Sequence, residues 1–244
     1  MTLNCRRFFS SFLVITAVLI LGVGNVIAEG LNEQLQQLSE KSKEGMPQDK
    51  VAVMERSLAE LKVSKMIKQA PQVGQSLPDA TLLDVNGSSK RLYDVIGDKS
   101  AIVTFYRGGW CPYCNLQLHA YSTHLEQIES LGATLVAISP ELPDQSLTTK
   151  QKNDLKFGVL SDKNNQYAHN LKIVFELNND LKALYTEFGI SLEKNQGNDS
   201  WELPLAATFV IDRNRVIRYA FVDADYKKRA EPATLISKLK EIGK

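Results

Sequence analysis

A mixed α/β fold is what this sequence predicts: a central sheet covered by helices on both faces, behind an N-terminal helical extension. Three observations carry it. Short apolar, β-branched runs alternate with stretches whose apolar residues recur every three or four positions. Two late apolar runs flank the polar turn Asp212-Arg213-Asn214-Arg215. The Leu-, Glu- and Lys-rich stretch before Pro71 is set off from the rest by the punctuation between Pro71 and Pro78. Composition agrees. At 244 residues, 43% hydrophobic and 23% charged, the chain can bury a sizeable core, and collagen-like, low-complexity or largely disordered chains are excluded. A formal net charge of +1 lacks the basic excess of a nucleic-acid binder, so no nucleic-acid partner is expected.

The elements follow in order. Arg6 and Arg7, the apolar run from Phe12 to Val23 and Val26-Ile27-Ala28 form the pattern of a secretory signal over residues 1–28. The protein is therefore expected to be exported, periplasmic or secreted, with an uncleaved membrane anchor as the alternative. The run is shorter than the roughly 20 residues of a spanning helix. Without this segment and its Cys5, the cysteines left are Cys111 and Cys114. Residues 29–71 read as a helical extension, with Leu31, Leu35 and Leu38 on one helix and Val51, Met54, Leu58 and Leu61 on a second after Pro47. The main domain is placed at 72–244.

In that domain, Ala101 to Tyr106 is a buried strand, and residues 111–131 are a helix with Leu118, Tyr121, Leu125, Ile128 and Leu131 on one face, ended by Gly132. Thr134 to Ile138 is a second buried strand; residues 144–156 and 178–188 read as helices. Thr208 to Ile211 and Val216 to Phe221 form a hairpin, and Thr234 to Ile242 a closing helix. The Asn-rich stretches 164–165, 178–179 and 195–198 read as surface loops.

The chemistry lies in Cys111-Pro112-Tyr113-Cys114, which follows a strand through Arg107-Gly108-Gly109-Trp110 and opens a helix. The glycines allow a tight turn. Pro112 suits the first helical position, where its missing N–H costs nothing. Cys111 then falls at or next to the N-cap, where free N–H groups and the helix dipole favour a thiolate. Cys114 lies one turn on, within bridging reach. A disulfide closing so small a loop adds little stability, so redox chemistry is the better reason for the pair. A zinc half-site is the bland alternative. No second cysteine pair exists, and His119 and His124, five apart, do not share a helix face, so no metal is expected. Around the pair, Arg107 is a candidate to stabilise a thiolate or a developing oxyanion, Trp110 to shield the thiol or dock a partner, and Tyr113 to tune the pair or, as expected here, to fill space. Cys111 is expected to be the more exposed sulfur and the attacking one.

The run from Phe105 to Leu118 (FYRGGWCPYCNLQL) resembles the signature of the peroxiredoxin-like proteins of the alkyl-hydroperoxide-reductase/thiol-specific-antioxidant group, in the thioredoxin-fold superfamily. Gly74 to Asp79, Val136 to Pro140, Phe157 to Asp162 and Asp223-Ala224-Asp225-Tyr226 through Arg229 agree with it. The resemblance covers roughly residues 72–240. It implies a thioredoxin-like fold and thiol-dependent peroxide or disulfide chemistry. As a peroxidase the protein would take a peroxide substrate and a thioredoxin-like dithiol reductant. No cofactor is expected, because no Gly-rich phosphate fingerprint appears, and residues 29–70 are a candidate to cap the sheet or to mediate a homodimer. It also departs from the pattern. The positions of the family's active-site proline, threonine and peroxidatic cysteine fall on Arg107, Cys111 and Cys114, and the late-strand arginine falls near Ala206. The alignment thus nominates Cys114 as the attacking sulfur, whereas the dipole argument nominates Cys111. The segment 223–229 is read as a structural network. Three functions remain open: a thiol peroxidase, an exported thiol–disulfide oxidoreductase, and a binding module with incidental cysteines.

Overall fold

The structure is a computed structural model describing residues 30–243; the expected signal segment and Cys5 lie outside the described residues. The chain opens with helices α1 (Leu31–Glu44), α2 (Gln48–Val63) and the short α3 (Met66–Gln69). Strands β1 (Thr81–Asp84) and β2 (Ser89–Arg91), helix α4 (Leu92–Ile96), β3 (Ser100–Phe105), α5 (Pro112–Thr123), α6 (Leu125–Ser130) and β4 (Ala133–Ser139) follow. Next come α7 (Pro143–Lys152), β5 (Gly158–Ser161), α8 (Gln166–Asn170), β6 (Val174–Glu176), α9 (Asn179–Glu187) and α10 (Leu192–Gln196). The chain closes with β7 (Glu202–Pro204), β8 (Ala206–Ile211), β9 (Ile217–Asp223) and α11 (Pro232–Ile242).

Seven strands form one mixed sheet in the order β2-β1-β5-β4-β3-β8-β9, and β6 and β7 pair apart from it. The expected α/β class is what the chain adopts. The centre is parallel, β3 beside β4 and β4 beside β5; β8 and β9 add antiparallel strands. Strand β3 shows why both faces need cover. Ile102 and Tyr106 point into a cluster with Leu118, Tyr121, Leu235 and Leu31, while Ala101, Val103 and Phe105 point into another with Leu77, Leu92, Ile96 and Tyr167. The reactive thiols sit in the first cluster.

Three expectations change. The helix expected over 111–131 is two helices, broken at His124. The Thr123 hydroxyl and the His124 ring both bond the Ala120 carbonyl, taking it from the helical ladder. The Asn-rich stretches are not mere surface loops: Asn165 is buried, and Asn178 caps α9 by accepting the Leu181 N–H. The β1–β2 hairpin was not foreseen, although Asn86-Gly87 is a turn signal. The Asp84 carboxylate accepts the Asn86 and Ser88 N–H groups, and Gly87 takes φ +79°. The glycine-free turn of the expected hairpin is held similarly, by Asp212 accepting from Asn214 and Val216.

Candidate active site

Strand β3 delivers the chain to the site. Tyr106 and Arg107 continue it, and the chain then turns through Gly108 and Gly109 into α5. A side chain at either glycine would collide with its neighbours. A Cβ on Gly108 would lie 2.3 Å from Trp110 Nε1, and one on Gly109 2.1 Å from Thr149 Oγ1. The Gly109 N–H donates to Glu141 Oε1 at 2.8 Å, which pins the turn to the end of β4. Glu141 is itself buried, and its other oxygen accepts from Tyr106 and Thr149. Burial pushes this carboxyl above its ordinary range, against the opposing pull of the Gly109, Thr149 and Tyr106 donors.

Cys111 is the N-cap of α5 and Pro112 its first residue, as the sequence required. Both thiols are free, and their sulfurs lie 2.8 Å apart. The expected greater exposure of Cys111 is overturned, because both cysteines are 0% exposed. The Cys111 N-cap faces the protein interior under Arg107, not solvent.

Two guanidiniums converge on the pair. Arg107 Nη2 donates to Cys111 Sγ at 3.3 Å, and Arg229 Nη2 to Cys114 Sγ at 3.3 Å. Arg107 is held by Tyr185, whose hydroxyl accepts from Nη1 at 2.9 Å, and by the Tyr226 ring 4.2 Å from its carbon. Arg229 is held by Gln117 Oε1 at 2.7 Å and by the carbonyls of Tyr226 and Lys228. Gln117 is fixed in turn by Thr104 at 3.0 Å and Tyr121 at 3.1 Å. Arg107 and Arg229 are 6% and 3% exposed, and among the described residues neither is ion-paired to a carboxylate. Buried cations without a counter-charge are costly. A sulfur anion between them supplies that charge.

The acidity falls unequally. Burial pushes Cys114 up, but the Cys111 hydrogen bond and the guanidiniums of Arg229 and Arg107 outweigh it and hold the thiol well below its usual range. Cys111 moves the other way: burial and the Cys114 contact both raise it, against the pull of Arg107. The two sulfurs lie within hydrogen-bonding distance. With Cys114 ionised, the Cys111 S–H donates to it and stabilises the anion.

The remaining expected residues are near but do not touch the sulfurs. Trp110 packs edge-on against Tyr185 at 5.6 Å, and its Nε1 is buried without a partner. Tyr113 packs edge-on against Tyr226 at 5.4 Å, consistent with a space-filling role. The segment read as a structural network divides. Asp225 pairs with Lys62 and Lys227, whereas Tyr226 and Arg229 belong to the site. The late-strand position Ala206 lies in β8, and the cation comes instead from the segment after β9. Tyr185, Glu141 and Gln117 were not singled out from the sequence. A polar residue at a strand end, as at Glu141, was a usable signal; the other two carried none.

The profile of the AhpC/TSA family matches residues 73–220. Chloroplastic peroxiredoxin Q of Suaeda salsa is 28% identical over 148 residues, 61% of this chain and 58% of its own length. Peroxiredoxin Bcp of Escherichia coli strain K12 is 23% identical over 170 residues, 70% of this chain and 96% of its own. Among solved structures, peroxidoxin BcpB of Mycobacterium tuberculosis superposes with a TM-score of 0.55 at 18% identity, covering 70% of this chain and 97% of its own.

Proposed function

The chain belongs to the AhpC/TSA family, and on that premise we propose that it is a thiol peroxidase in which Cys114 attacks and Cys111 resolves. The observation that carries this reading is the pair of buried guanidiniums, one on each unbridged sulfur, with no carboxylate on either. The family makes the protein a peroxidase of the oxidoreductase class; the assignment of roles rests on the electrostatics of the pair.

The chemistry follows from the geometry. The Cys114 thiolate attacks one peroxide oxygen. An S–O bond forms, the O–O bond breaks, and the leaving oxygen takes a proton and departs as water or alcohol. The Arg107 and Arg229 guanidiniums stabilise the negative charge as it moves from sulfur to the leaving oxygen. Cys111, in contact with Cys114, then attacks the sulfenic sulfur; an S–S bond forms and water leaves. A thioredoxin-type dithiol returns two electrons and two protons and regenerates both thiols.

Single replacements by serine test the roles. Cys111→Ser should still form a trappable sulfenic acid at Cys114 after hydrogen peroxide exposure, but lose turnover with a dithiol donor. Cys114→Ser should form none. Sulfenic acid at Cys111 in the Cys114→Ser chain would reverse the assignment.

The placement of the CxxC pair at a helix start also favours a second reading, thiol–disulfide exchange on exported proteins. Insulin reduction faster than peroxide turnover would favour it.

A further inference from the structure

With both sulfurs sealed, a substrate needs a way in, and the structure offers a lined one. We propose that α2 and the β6–α9 segment form the passage through which an organic hydroperoxide with a neutral apolar tail reaches Arg107 and the sulfur pair; this rests on the peroxidase reading.

Two neighbouring cavities share Ser57, Leu61, Phe175 and Leu181 as common walls. The outer one, about 200 Å³, lies between α2 and the β6–α9 segment. The inner one, about 30 Å³, adds Met54, Leu58, Ala224 and Tyr226 and ends on Arg107 and Tyr185. It exceeds the roughly 10–15 Å³ a water needs, so it admits a group of about that size at the Arg107 end. Its floor is chemically matched to a hydroperoxyl head. Arg107 Nε is buried with no hydrogen-bond partner, leaving a donor for a peroxide oxygen; neither sulfur lines the cavity, but Arg107 Nη2 touches Cys111, whose sulfur lies 2.8 Å from that of the attacking Cys114. The inner walls are mainly aliphatic and aromatic, and in the outer cavity Leu61, Phe175, Leu177 and Leu181 continue the apolar lining beside Ser57, Glu60, Ser64, Glu176 and Asn178, so a hydrocarbon tail has apolar surface along the whole route. At the outer end stand the carboxylates of Glu60 and Glu176, the latter paired with Lys182. Acidic groups there disfavour a tail ending in a carboxylate, so the passage selects neutral hydroperoxides. Helix α2 precedes the family match, which begins at residue 73. Selectivity therefore resides partly in the extension of this chain.

The step is the one described above, with the alkoxide leaving group protonated to the alcohol. Two measurements test the passage. The first is the ratio of kcat/KM for n-octyl hydroperoxide to that for hydrogen peroxide. Filling the passage, by Leu61→Trp or separately Leu181→Trp, should lower this ratio about 10-fold, as changes in an apolar pocket do. An unchanged ratio in both variants would overturn the proposal. The second needs no turnover: n-octanol should bind the Cys111→Ser/Cys114→Ser chain measurably, and bind it more weakly when Leu61→Trp is added. Absence of octanol binding would sink the passage. Octanol binding that depends on Leu61, in a protein whose native form consumes neither peroxide, would uphold the passage and overturn the peroxidase reading instead.

Discussion

Removing the Arg229 guanidinium would leave Cys114 buried beside one cation instead of two, and the sulfur's acidity reports the loss. Burial alone favours the thiol; the guanidiniums and the Cys111 hydrogen bond reverse that. Arg229→Met should therefore move the thiolate titration upward, because one of the two cations that favour the anion is gone. The sign is definite. In the parent chain the thiolate persists as pH falls below the ordinary thiol range, and in the variant it protonates at higher pH. Ultraviolet thiolate absorbance across a pH titration measures this, with Cys114→Ser as the blank. Coinciding curves for parent and Arg229→Met would remove Arg229 from the chemistry. Neither partnership was visible in the chain itself: Arg229 is 115 residues from Cys114, and Tyr185 is 78 from Arg107. No local pattern records such meetings, and a lone arginine or tyrosine is more often a surface or packing residue.

At the scale of elements, the turn from β3 into α5 decides where the cysteines stand. The Gly108–Gly109 turn is wedged between Trp110, Glu141 and Thr149. Gly109→Ala should destabilise the protein by about 1–3 kcal/mol, the usual cost of overpacking a filled site. The added methyl meets Thr149 Oγ1 at 2.1 Å but Thr149 Cβ only at 3.1 Å. Thr149→Ala should thus recover much of the loss in the double variant. A denaturant-melt cycle over the parent, both single variants and the double variant gives the coupling, and strict additivity would show that the clash is not the cause. The CxxC-bearing helix start was legible because its signals are local: two glycines, a proline and two cysteines in consecutive positions. The break at His124 was not, because a hydroxyl and an imidazole competing for one carbonyl leave the apolar spacing intact.

Across the whole molecule, the N-terminal helices close the site but are held to different degrees. Helix α1 contributes Leu31 and Leu35 to the core around the cysteines, and the Glu231 side chain accepts its first N–H groups. Helix α2 buries one residue, Val51, and is tied to α9 and its C-terminal end by the ion pairs Lys50–Glu187 and Arg56–Asp180. Such pairs contribute about 0–1 kcal/mol each when exposed and weaken as salt screens them. Raising ionic strength should therefore speed alkylation of the buried sulfurs several-fold. Arg56→Glu should do the same at low salt, and Arg56→Glu with Asp180→Arg should restore the slow rate. Alkylation rates indifferent to both salt and charge reversal would mean that α2 does not gate access.

The sequence by itself determined the mixed α/β class, the two N-terminal helices and a thiol pair at the start of a helix that follows a central strand. Apolar spacing, glycine and proline placement, and helix-end electrostatics are properties of neighbours along the chain. Only the tertiary structure decided that both sulfurs are sealed from solvent, that Arg229 instead of a late-strand arginine faces Cys114, and that Glu141 anchors the turn. It also decided which guanidinium faces which sulfur. Acidity in a buried pair depends on how many charges and donors the fold brings within a few ångströms, and that is a sum over distant parts of the chain.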